Sequence, residues 1–184
     1  MGRGDIPLTA PGRLQAERLG ARLASILPAC PVFASPLLRT RMTAQALTAS
    51  GFPEPAFLPD LMELDFGAWE GRLAEEVERE DPAAYALWRA VDAAFAFPDG
   101  EALAGAARRM RGALEEAWKG EGDAVVVAHG GVLRLGVCEL LGLPWSAAPR
   151  LRFDFASVTR LERHAGREVL ALLNDTAHLV ETRP

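Results

Sequence analysis

The chain has 184 residues, 49% of them hydrophobic and 24% charged, enough for one sizeable core and too few for two independent domains. Its formal net charge of −5 argues against nucleic acid or an anionic membrane surface as partner, since either would ask for a basic face. Cys30 and Cys138 stand far apart with no CxxC pair, the start carries no apolar leader, and no apolar run reaches membrane-spanning length, so a single cytoplasmic domain of residues 1–184, without a disulfide framework, is expected.

"LTAPGRLQAERLGARLASILP" predicts a first helix, capped by Thr9, with Pro11 in its first turn and Pro28 as its stop. Leu14, Leu19, Leu23, Ile26 and Leu27 are expected on its buried face. "PVFASP" reads as a short strand. Ser35-Pro36 then opens a second helix, which Gly51 closes. "PAFLPDLMEL" predicts a short strand and a loop, and helical segments follow across 72–95, broken near Pro82. Across 101–119, Leu103, Met110, Leu114 and Trp118 recur at helical spacing. "DAVVVAHGG" is a continuous apolar strand of the type buried on both faces of a parallel sheet, and "VLRLGVCELLG" is a helix after it. Two β-like stretches, "RLRFDFASVTRLER" and "EVLALLN", are joined by a turn at "HAGR". Strands alternating with helices predict an α/β fold, a mostly parallel central sheet with helices on both faces.

Three constellations carry chemistry. In "SPLLRTR", Arg39 falls within a turn of a helix N-terminus, where a cation opposes the helix dipole at a cost of about 0.3–1 kcal/mol. A surface arginine paired with an acid would explain it. So would an anion held between the helix amides and the guanidinium, which would reverse the sign of that cost. In "AHGG", His129 stands at the carboxyl end of a strand, where open α/β sheets bind ligands, and Gly130 and Gly131 allow close backbone approach at the start of a helix. A histidine that merely caps the helix is the bland alternative. In "LMELDFGAWEG", Asp65 and Glu70 read as solvated loop acids, whereas Glu63, between Met62 and Leu64, is a candidate for a desolvated acid able to protonate a leaving group. His164 in the hairpin turn and His178 near the end make no metal-binding spacing with it. No metal and no other cofactor is expected.

Together and in order, "GDIPLTAPGRLQA", "ASPLLRTRMTAQAL", "LMELDFGAWEG", "FPDGEAL", "VVVAHGGVLR" and "LNDTAHL" resemble the histidine phosphatase superfamily, the phosphoglycerate-mutase-like enzymes. The stretches span essentially the whole chain. The resemblance implies a phosphoglycerate-mutase-like fold and a small phosphorylated metabolite as partner. It also implies that Arg39 grips the phosphoryl group, Glu63 donates the proton, His129 stabilises charge on the transferring phosphate, and the Gly130 amide helps hold its oxygens. The short length and the "DIPLT" stretch look like the broad-specificity phosphatases and the α-ribazole phosphatases.

The family pattern also has a hydrophobic strand ending in Arg-His-Gly ahead of "DIPLT". That histidine becomes phosphorylated, and this sequence has no Arg-His-Gly. The first central strand is therefore expected to be absent, leaving backbone groups unpaired at about 1–3 kcal/mol each where buried. The expectation is a chain N-terminally truncated relative to the family, with the nucleophile encoded upstream of Met1. Its function is then a metal-independent phosphomonoesterase working through a phosphohistidine. A mutase is the less favoured alternative, because the short stretch between Glu63 and His129 leaves little room for a long cap over a bisphosphate. A catalytically inactive phosphoester-binding module is the alternative from a different class, and a generic α/β domain with coincidental motifs the weakest. The sequence specifies neither the ester nor an oligomeric state.

Overall fold

The computed structural model describes residues 2–182. Helix α1 (Ala10–Ile26) begins where Thr9 accepts the amide of Gly12 and Pro11 sits in the first turn. It presents Ala16, Leu19, Gly20 and Leu23 to the core. Leu14 and Ile26, expected on that face, are 44% and 49% exposed. The stripe is narrower than the leucine count implied because α1 packs mainly on the following helix, where Gly20 permits close approach to Ser50 and Ala46.

Strand β1 (Val32–Ala34) leads through Ser35-Pro36 into α2 (Leu38–Ala49), and Gly51 turns the chain with φ +103°. Strand β2 is short (Ala56–Phe57) and a 3-10 turn at Pro59–Leu61 follows. The expected break at Pro82 separates α3 (Ala74–Glu80) from α4 (Pro82–Ala90), whose first turn is capped by Asp81. Helicity stops at Ala90, short of the expected residue 95, because Val91 adopts left-handed backbone and the chain then runs to a bridge between Ala96 and Ala102. Helix α5 (Leu103–Ala117), strand β3 (Val125–Val127) and helix α6 (Gly130–Leu141) complete the main layers.

The sheet order is β2-β1-β3, all parallel, with Val32, Phe33 and Ala34 opposite Val125, Val126 and Val127. Alternation along the strands divides the core in two. Val32, Ala34, Val125 and Val127 face a cluster with Leu19, Leu23, Ala44 and Leu47 from α1 and α2. Phe33 and Val126 face Met110, Leu114 and Val132 from α5 and α6. Helices thus cover both faces, and the fold is the α/β architecture expected from the alternating elements.

Strand β4 (Val158–His164) and strand β5 (Arg167–Asp175) form an antiparallel hairpin through Ala165 and Gly166, both with positive φ. The preceding residues 151–157, expected to be β-like, are loop. The hairpin is a separate two-stranded sheet, although Val158 packs with Val125 and Val127, and Leu161 with Val126. Among the described strands β3 is therefore an edge strand. That is why Val125–Val127, expected to be fully buried, are only partly so.

Candidate active site

Parallel strands release their successors on the same side of the sheet, so the ends of β1 and β3 deliver Ser35, Arg39 and His129 to one place. Arg39, second residue of α2, donates Nε–H to His129 Nδ1 at 3.1 Å. A guanidinium can only donate, so Nδ1 is the acceptor and the ring proton sits on Nε2. Nε2 lies 2.8 Å from Ser35 Oγ, which is wholly buried. His129 itself is 7% exposed. Its pKa is pushed down to about 3, first by burial and then by the positive charges of Arg39 and Arg109. It is a neutral imidazole near neutral pH, fixed in one tautomer.

Glu63 is 9% exposed, so the expected desolvation of this side chain is met. Its carboxylate accepts the amides of Leu64 (3.0 Å), Gly131 (3.0 Å) and Val132 (2.9 Å). The two α6 amides point outward because a helix N-terminus leaves its first donors unsatisfied. A carboxylate is well placed there. Close approach of the backbone explains one of the two glycines. A Cβ on Gly131 would lie 2.6 Å from Glu63 Oε1, whereas one on Gly130 would meet nothing nearer than Arg134 Nη1 at 3.5 Å. Gly130 is the first residue of α6, directly after His129.

Several participants escaped the reading of the sequence. The Nη atoms of Arg39 donate to the carbonyls of Gly4 and Gly2, both at 2.8 Å, and Asp5 accepts the Leu38 amide at the start of α2. Residues 2–5 therefore lie against the guanidinium. Burial lowers the Arg39 pKa, opposed by the carboxylates of Glu63, Asp5 and Glu70. Asp65 and Glu70, expected to be merely solvated, anchor that segment. Glu70 accepts the amides of Gly2, Arg3 and Phe66, and Asp65 accepts from the Arg3 guanidinium and the Gly67 amide. The Glu70 pKa falls because these backbone bonds and the chain's amino terminus outweigh burial, the largest single cause and one that acts in the opposite direction. Arg109 holds the Glu63 loop from the other side, donating to the carbonyls of Asp60, Met62 and Glu63 and pairing with Glu101 at 2.7 Å.

His164 and His178 are not part of this cluster. The first lies at the end of β4 beside the hairpin turn, and the second has Nε2 3.0 Å from the Ala156 carbonyl. Among the described residues no group of three or more His, Cys, Asp or Glu side chains is placed to hold a metal ion. None of the described helices is long and apolar enough to cross a membrane.

The family model of the histidine phosphatase superfamily (branch 1) matches residues 1–176. The chain belongs to the histidine phosphatase superfamily. Among its superfamily relatives is phosphoserine phosphatase 1 of Hydrogenobacter thermophilus, 33% identical over 96% of this chain and 84% of that one. The adenosylcobalamin/alpha-ribazole phosphatase of Salmonella typhimurium is 30% identical over 96% of this chain and 88% of the relative. YhfR of Bacillus stearothermophilus superposes with a TM-score of 0.86 at 28% identity, covering 97% of this chain and 90% of that one. The family resemblance read from the motifs is correct, and the superfamily relatives are named phosphatases or phosphoglycerate mutases.

Proposed function

We propose that this protein is a metal-independent phosphomonoesterase acting on small phosphate esters through a phosphohistidine. The observation that carries the reading is the contact of Arg39 with His129 at the carboxyl ends of adjoining parallel strands, with the Glu63 carboxylate beside them. A phosphoryl group enters by taking the Arg39 Nη donors from the Gly2 and Gly4 carbonyls. Arg39, the Gly130 amide and the Nδ1 side of the His129 ring then surround its oxygens, Nε2 staying on Ser35. A histidine encoded ahead of Met1, on a segment pairing along the open edge of β3, forms the N–P bond as the P–O ester bond breaks. Glu63 takes up the proton that a monoanionic ester carries in and passes it to the departing alkoxide. Water then cleaves the N–P bond, Glu63 taking the water's proton, and inorganic phosphate leaves.

The phosphoester-binding module is the second reading, favoured by one feature. Both ring nitrogens of His129 are engaged and the other two histidines lie elsewhere, so the chain itself offers no free imidazole for attack. Turnover of p-nitrophenyl phosphate is to be compared between this chain and a version extended by the residues encoded in frame upstream. Activity and an acid-labile phosphoenzyme in the extended form alone support the esterase. Phosphate binding without turnover in both forms, or an in-frame stop directly upstream, refutes it in favour of the module.

A further inference from the structure

Ser35 follows directly on β1, is wholly buried, and has its backbone fixed on both sides. Its amide donates to the Val127 carbonyl at 2.9 Å, and its carbonyl accepts the Thr40 hydroxyl at 3.0 Å. Only the hydroxyl hydrogen is left to turn. Ser35 Oγ lies 2.8 Å from His129 Nε2 and accepts the Leu37 amide at 3.4 Å.

Donors and acceptors around the His129 ring do not balance. With the ring proton on Nε2, Ser35 Oγ accepts from both Nε2–H and the Leu37 amide, and its own O–H has no acceptor among the described residues. A buried hydroxyl proton left unanswered is costly. In the other neutral tautomer the Ser35 O–H donates to Nε2, the Leu37 amide still donates to Oγ, and nothing in this corner is left over. That tautomer carries its proton on Nδ1, where it meets the Arg39 Nε–H across 3.1 Å, donor against donor. It therefore calls for an acceptor between the ring and the guanidinium. Capping does not account for the placement of the ring, whose side chain makes no bond to the start of α6.

We infer that Ser35 is a positioning residue: its hydroxyl lets His129 exchange the Nε2–H tautomer for the Nδ1–H tautomer when a phosphoryl group arrives, so that Nδ1–H donates to that group. The inference rests on the phosphoester reading of Arg39 and His129, and adds to it how a buried neutral imidazole becomes a donor. A phosphoryl oxygen takes the place between Arg39 Nε–H and Nδ1 and accepts from both. One proton leaves Nε2 for water and one is taken from water at Nδ1, so the ring stays neutral. The Ser35 O–H turns to donate to Nε2. A hydroxyl suits this task because it both donates and accepts, and the bond at one ring nitrogen sets the proton at the other. The anion binds one of two tautomers and draws the population toward it.

The probe is inorganic phosphate, titrated into the chain with its histidine ring nitrogens labelled for NMR. Nitrogen shifts separate a protonated ring nitrogen from one with a lone pair, and the spectrum of His129→Gln assigns the His129 signals. The expected result is a proton on Nε2 without phosphate and on Nδ1 at saturation, with His164 and His178 unchanged. This measurement needs no substitution at Ser35. In Ser35→Ala the free chain loses an acceptor for Nε2–H, partly offset because the unanswered hydroxyl goes too. The phosphate-bound chain loses the donor to Nε2 with no such offset, so phosphate should bind about ten-fold more weakly. Ser35→Thr, which keeps the hydroxyl, should bind phosphate as the parent does. A serine that only holds the ring in place costs stability alike with and without phosphate, and its removal leaves the affinity unchanged. That unchanged affinity overturns the inference. So does a proton that stays on Nε2 at saturation, or a second proton that makes both ring nitrogens donors. Phosphate that does not bind, or binds as well after Arg39→Ala, instead overturns the reading on which the inference rests, and the inference with it.

Discussion

Gly131→Ala isolates the contact between Glu63 and the start of α6. A Cβ at this position would lie 2.6 Å from Oε1 and 3.0 Å from Cδ of Glu63. The neighbour in the way is a carboxylate bonded to the Gly131 and Val132 amides, so it cannot move without stretching both bonds. Hydrogen bonds to a charged acceptor contribute about 1.5–3 kcal/mol each, and losing roughly half of the pair costs about 2–3 kcal/mol. Alanine offsets about 1 kcal/mol of this through helix propensity and a less flexible unfolded chain. The net loss is about 1–2 kcal/mol, or roughly 2–8 °C in melting temperature for a chain of this length. Gly130→Ala is the matched control. Its Cβ meets nothing nearer than 3.5 Å, so it is expected to be neutral or stabilising by up to about 1 kcal/mol. Urea unfolding followed by far-UV circular dichroism measures both. If Gly131→Ala is as stable as Gly130→Ala, the assignment of Glu63 to the helix amides is wrong.

Three further outcomes follow from the same cluster. With the His129 pKa lowered to about 3, the unfolded chain binds one more proton than the folded one between that value and the ordinary histidine range. Stability should therefore rise with pH through this window, by up to about 1.4 kcal/mol per unit, and level off above about 6.5. His129→Gln should remove that part of the slope, and an unchanged slope in urea titrations would contradict the neutral buried imidazole. Ser35→Ala strands the Nε2–H of His129 in a buried setting and should cost about 1–3 kcal/mol, with the ring nitrogen shifts reporting the lost partner by NMR. Arg109→Met unties the carbonyls of Asp60, Met62 and Glu63 and leaves Glu101 with only the longer pair to Arg3 at 3.5 Å. A loss of about 3–5 kcal/mol is expected, and retention of parental stability would show that the Glu63 loop is held by something else.

What the sequence disclosed was local. A strand running straight into His129, and a short strand four residues before α2 leading to Arg39, each announce a residue at a strand's carboxyl end. The parallel sheet then brings the two ends together. The reason for Gly131 was not legible, because its cause, Glu63, lies 68 positions away and nothing near the "GG" pair hints at it. Asp65 and Glu70 looked like ordinary loop acids for the same reason: the partners that give them their anchoring role, the amides of Gly2 and Arg3 and the Arg3 guanidinium, lie more than 60 positions away. Leucine spacing misplaced Leu14 and Ile26, because α1 is packed through Gly20 and Ala16, small residues that a hydrophobic tally underweights. That β3 is an edge strand and the hairpin a separate sheet depends on which edges are paired, a property that no single segment encodes.

The threading of residues 2–5 between Arg39 and Glu70 has a practical corollary. Tension or bulk added to the front of this chain is transmitted within two carbonyls to the guanidinium that grips the anion. An affinity tag fused there acts as a handle on the chemistry. A tag on the opposite terminus is the comparison, and assays of the two placements read the coupling directly.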